Sequence, residues 1–147
     1  MNSQLIQIAS SVLISGAALL GSTLPAHAIA FLAPGVTGKY FDGYWAGDPT
    51  FFTSNAPAFS RLDSTINFSD AASGLGLDSW NFSGTPLQSN GEELFSVEWT
   101  GSLVVDSTEN YTFRTLSDDG IAVFIDGIGV ISNTSIHPPR STLAPSR

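Results

Sequence analysis

The 147-residue chain contains no cysteine, one methionine, two histidines and five lysines and arginines. Without thiols it can have neither a disulfide framework nor a Cys-based zinc site. Five basic groups against 13 acidic ones give a net charge of −8. That balance excludes the basic patches that nucleic acid and anionic membranes require. Histidine is too scarce for triad chemistry: His27 lies in a segment that reads as a removable leader, and His137 borders a proline-rich end. No Ser-His-Asp set is therefore held on a rigid frame. Glu92, Glu93 and Glu98 are carboxylates of the kind glycosidases use, but nothing in their spacing sets two of them across a cleft. Gly74-Leu75-Gly76 has no strand–helix context and is not a nucleotide loop. The chain reads as a non-enzyme.

Charge is also missing from the N-terminal segment. Residues 1–28 carry no charged side chain, residues 5–20 are largely apolar, and Ala26-His27-Ala28 has the small-x-small pattern of a cleavage site. The segment is predicted to be a signal-peptide helix, although it lacks a basic start. It is short for a membrane anchor, which needs about 20 apolar residues. Its removal leaves about 119 residues, enough for one modest core. The mature part shows no sustained 3.6-residue period and so is not predicted to be helical. The expectation is an exported chain with no membrane insertion after cleavage.

What the mature part does have is strand pattern. In residues 95–105, Phe95, Val97, Trp99, Leu103 and Val105 fall on one face with Gly101 in step, and Ser96, Glu98, Thr100 and Ser102 fall on the other. Burying each of those apolar side chains is worth about 1.5–3 kcal/mol, so this strand is predicted to be central. Residues 35–41 read as the first strand and 65–68 as a short one, with 58–64 ambiguous. Residues 106–110 are short and polar enough to form a hairpin into a strand at 111–116.

The most informative stretch is 111–131, where three apolar runs are separated by two turns. Asp126-Gly127 is a strong hairpin signal. Ser117-Asp118-Asp119-Gly120 is a turn by composition, since Asp bonds its own backbone and Gly permits positive φ. It presents two adjacent carboxylates at a sheet rim. Composition alone favours a solvated turn whose acids merely fit its geometry. Tyr44, Trp45 and Trp80 lie in loop contexts, where they either pack the end of a sandwich or stack on a ring. Arg61 and Asp63 are positioned to pair within the fold. The closely spaced strands predict an all-β antiparallel β-sandwich. Residues 138–147, with Pro138, Pro139 and Pro145, are predicted to be a disordered tail.

The ordered blocks Gly38-Lys39-Tyr40-Phe41, Arg61-Leu62-Asp63, Ile66-Asn67-Phe68, Phe95 to Leu103, Tyr111-Thr112-Phe113, Ser117-Asp118-Asp119-Gly120, Ile125-Asp126-Gly127 and Val130-Ile131-Ser132-Asn133 resemble the PA-fourteen domain family. That family is named for anthrax protective antigen and includes yeast flocculin-type adhesins. The resemblance covers residues 36–137 and implies a β-sandwich, extracellular or cell-surface location and carbohydrate binding. In the adhesin branch a neighbouring Asp-Asp pair, joined by a cis peptide, chelates calcium that grips sugar hydroxyls. Asp118 and Asp119 match that pair and are the implied carbohydrate and metal residues. Family members continue past residues 133–137 with further strands and a loop that completes the calcium shell. This chain is therefore expected to hold a domain at 29–137 that is incomplete at its C-terminal end. Two functional classes follow: a secreted glycan-binding or adhesion module that uses Ca2+, or a structural or protein-interaction module, including a truncated fragment that binds no ligand.

Overall fold

Apolar residues alternate along residues 95–105, and in the structure, a computed structural model, Phe95, Val97, Trp99 and Leu103 are each at most 1% exposed. The described residues are 2–11, 30–31, 35–68, 80–90, 94–105 and 109–144. They form β1 (Asn2–Ser11), β2 (Ala30–Phe31), β3 (Val36–Asp42), α1 (Phe51–Ser54), β4 (Phe59–Asp63), β5 (Phe95–Val105), β6 (Arg114–Ser117), β7 (Ile121–Ile125), β8 (Ile128–Asn133) and β9 (Arg140–Leu143). The large sheet runs β4-β3-β5-β1-β7-β8, with β2 also paired to β5, and β6 and β9 form a second sheet. All pairings are antiparallel. The architecture is all-β, as the alternating pattern predicts.

One face of the large sheet holds the main core. Tyr40, Trp80, Phe82, Phe95 and Trp99 pack there with Phe59 and Phe68. Phe68 stacks on Trp80 at 4.1 Å, Tyr40 on Phe59 at 4.5 Å, and Phe95 meets the edges of both Trp80 and Phe82 at 4.8 Å. Ala144 and Phe113, which flank the small sheet, pack on this same core. The opposite face is covered at one end by residues 43–54. Ser96 Oγ accepts from Trp45 N and donates to the Gly43 carbonyl, each at 2.8 Å. Trp45 joins Ala122, Phe51, Phe52 and Phe124 in a second cluster. With both faces covered, β7 is a continuous apolar run rather than an alternating one.

One charged group is built into the main core. Asp63 Oδ2 accepts from Tyr40 OH at 2.6 Å and from Trp99 Nε1 at 2.7 Å, while Arg61 Nε reaches Asp63 Oδ1 at 2.6 Å. Arg61 also donates to the Trp80 carbonyl at 2.6 Å and lies 4.6 Å over the Tyr40 ring. The expected Arg61–Asp63 pair is therefore a structural knot that ties β4 to β3, β5 and the Trp80 segment. Burial, followed by the neighbouring Asp63 carboxylate, pushes the Tyr40 hydroxyl far above the ordinary tyrosine range.

Several expectations are corrected. In this structure Asn2–Ser11, the start of the expected leader, is a strand whose extended backbone pairs with both β5 and β7. Residues 12–28, with the expected cleavage point, lie outside the described residues. Among the described residues β6 pairs with β9 rather than with β5 as the expected hairpin would require. The strand expected at 65–68 is reduced to a bridge at Phe68, and the ambiguous stretch before it holds β4. The expected disordered tail at 138–147 contains β9, and Ala144, 5% exposed, donates its N–H to the Phe113 carbonyl at 2.8 Å. The prolines end one segment, and the chain becomes extended again directly after them at the edge of the small sheet, where a missing donor is tolerated. Of the two readings open for the loop tryptophans, burial selects packing: Trp45 and Trp80 are 6% and 1% exposed.

Candidate functional site

The turn Ser117-Asp118-Asp119-Gly120 does not close a hairpin. It carries the chain from β6 in the small sheet to β7 in the large one. Both strands are fixed by burial: Ser117 and Ile121 are each 0% exposed. The turn between them is held by rigid elements on either side, and both acids are half-buried. Asp119 has φ +63°, a left-handed conformation that Asp tolerates better than most residues. The described residues contain no cis peptide bond, so the Asp118–Asp119 link is trans. This differs from the linkage implied by the adhesin-type resemblance.

The arm 133–137, which follows β8, folds back over the turn. His137 N donates to Asp119 Oδ1 at 3.1 Å, and Asp119 N donates to the His137 carbonyl at 3.3 Å. A proton on His137 Nδ1 satisfies both ring nitrogens. Nδ1 then donates to the Pro138 carbonyl at 2.8 Å, and Nε2 accepts from Asn133 Nδ2 at 2.8 Å. Asn133 Nδ2 also reaches Thr142 Oγ1 at 3.3 Å, which ties the arm to β9. Gly120 permits the approach, because a Cβ there would lie 2.9 Å from the Thr134 backbone. Gly47, from the loop over the second cluster, packs equally close to the Thr134 side chain. Arg140 stands opposite Ser117 in register.

The structure therefore brings Asp118 and Asp119 together with Asn133 and His137, two residues to which the sequence alone assigned no site role. The available signal was indirect: Gly120 after the acids, and Pro138-Pro139 after His137, mark a close approach and a stop. Glu92 and Glu93 lie outside the described residues. Glu98 is 7% exposed and meets Lys39 Nζ at 3.1 Å.

Chemically the rim offers carboxylate and amide oxygens, acceptors suited to hydroxyl groups, beside an imidazole whose two nitrogens are engaged within the arm. The carboxylates are hard oxygen donors of the type calcium takes, whose shell needs about six to eight oxygens. No group of three or more His, Cys, Asp or Glu gathers among the described residues. The two acids thus provide the right donor chemistry and part of the number.

A family model described as the PA14 domain matches residues 32–145. The chain belongs to the PA14 domain family. The match runs through β9, eight residues beyond the boundary expected at 137. This PA14 domain is also similar to the anti-sigma-I factor RsgI3 of Acetivibrio thermocellus, 38% identical over 73 residues. The aligned region is 50% of this chain and 10% of that protein. No solved structure matches the PA14 domain described here. Among its described residues no helix is long and apolar enough to cross a membrane.

Proposed function

We propose that this PA14 domain is a non-catalytic carbohydrate-binding module, exported to the cell surface or medium, with its contact centre at Asp118 and Asp119. The observation that carries the proposal is the position of the acidic turn. It is the crossover between the two sheets, half-buried, and braced by the arm 133–137 through the paired bonds between Asp119 and His137. A site for neutral sugars needs fixed acceptors at a rim, and a preorganised turn supplies them at little ordering cost. Asp118 and Asp119 would also hold a calcium ion there, with sugar hydroxyls and water completing its oxygen shell.

Glycan-array binding by the full chain tests this, with and without chelator, beside Asp118→Ala and Asp119→Asn. Asn keeps both the left-handed backbone and an oxygen for the His137 amide, so that variant isolates the charge. The expected result is saturable glycan binding that falls at least tenfold in each variant. Binding unchanged in both variants would remove the turn from the site, and unchanged binding in chelator would remove calcium.

A second reading, a protein-interaction module, draws on Ile136, which is 76% exposed within the arm, and on Leu62, 61% exposed on the edge strand β4. Retention of a protein ligand by Asp118→Ala and its loss in Ile136→Ser would favour that reading.

A further inference from the structure

In sheet order, β1 lies between β5 and β7. It pairs with β5 along its whole length and with β7 over residues 6–10. Both pairings are antiparallel, so β5 and β7 run parallel to one another, and their own connection passes through the small sheet rather than a turn. Ile8 is in register with Trp99 on one side and Val123 on the other; Ile6 is in register with Gly101 and Ile125. The same ten residues, Asn2–Ser11, begin the segment whose composition reads as a cleavable leader. The two facts conflict. If the segment leaves, the lane loses its filling, and two backbone edges one strand apart are exposed in the middle of the sheet.

We infer that the lane between β5 and β7 is a strand-acceptor site. Once residues 1–28 are cut away, it takes an extended segment donated in trans by a partner polypeptide. The chemistry of that segment follows from its present occupant. It is uncharged, runs antiparallel to both neighbours, and carries aliphatic residues at the two positions opposite Trp99/Val123 and Gly101/Ile125. A charged residue at either position would stand in register with residues that bury their side chains, since Trp99, Val123 and Ile125 are at most 9% exposed. Main-chain hydrogen bonds would supply affinity, and the two aliphatic positions would supply register. This site is separate from the acidic rim and does not rest on glycan binding.

The absence of cysteine makes the test clean. In the full chain, Gln7→Cys with Thr100→Cys, a register pair, is expected to form a disulfide on mild oxidation. Ile6→Cys with Thr100→Cys, one residue out of step, is expected to remain reduced. A protease site placed between residues 28 and 29 then allows the folded chain to be cut. Cutting and washing out the released segment should lower the thermal midpoint. A synthetic peptide of sequence NSQLIQIASS should bind saturably and restore the midpoint, and the same peptide with Ile8→Lys should bind at least tenfold more weakly. Cross-linking indifferent to register would overturn the inference, as would a cut chain with an unchanged midpoint and no peptide uptake. Concentration-dependent dimers of the cut chain that exclude the peptide would also overturn it, since the lane would then belong to a second copy.

Discussion

Replacing Asp63 with alanine should be strongly damaging to the fold. The carboxylate accepts from Tyr40 OH, Trp99 Nε1 and Arg61 Nε at 2.6, 2.7 and 2.6 Å. Asp63 is 6% exposed, Tyr40 0% and Trp99 1%, so water cannot replace the lost acceptor for either ring donor. Each buried donor left without a partner costs about 1–3 kcal/mol. The Arg61 guanidinium, its side chain 26% exposed, keeps the Trp80 carbonyl and recovers some hydration. Breaking a buried charged network by removing one member typically costs about 3–5 kcal/mol, and that is the expected loss for Asp63→Ala. Against a typical domain stability of about 5–15 kcal/mol, it would take the protein close to unfolding at physiological temperature. Asp63→Asn should lose less. It can still present an oxygen to Tyr40 and Trp99, but it turns an amide N–H toward Arg61. Urea unfolding followed by tryptophan fluorescence measures both, because Trp80 and Trp99 lie in this core. A loss below about 1 kcal/mol for Asp63→Ala would show that the carboxylate is solvated and the network incidental.

Three further outcomes follow from the same geometry. Gly120→Ala places a Cβ 2.9 Å from the Thr134 backbone, which must shift; the expected cost is about 1–3 kcal/mol, read by thermal melting, with glycan affinity falling as the arm moves off the turn. Tyr40 should stay neutral as pH rises through the ordinary tyrosine range, which absorbance at 295 nm would follow. Its folded pKa is raised, so its contribution is fully present below the unfolded value near 10 and is lost as pH climbs above it. Full ionisation of all three tyrosines near pH 10 with the fold intact would contradict this. At the β7–β8 turn, Asp126 and Gly127 have φ of +49° and +77°. Gly127→Val should therefore destabilise by about 1 kcal/mol or more while leaving glycan binding intact.

The parts of the fold legible in the sequence are those where one face of a strand is buried and the other is not. Residues 95–105 announce β5 through their alternation, and Asp126-Gly127 fixes the β7–β8 hairpin because a two-residue turn needs positive φ twice. What could not be read was long-range pairing. Nothing near residues 106–116 says that β6 will pair with β9 rather than with β5, since both choices satisfy the same local pattern. β9 was hidden by the prolines before it, and β1 by an apolar, uncharged composition that suits a leader helix and a central strand equally well. The site was half legible. Asp118 and Asp119 stand out as adjacent acids in a turn, whereas Asn133 and His137 reach them only through the return of the arm, a tertiary event without a local signature.

Whether sugars meet this PA14 domain at the acidic turn is decided by amide chemical-shift mapping with a glycan identified on the array. The largest shifts are expected on residues 117–120 and 133–137, with β3 and β4 unmoved. Shifts concentrated on the edge strand β4 or on residues 43–54, with the turn silent, would contradict it.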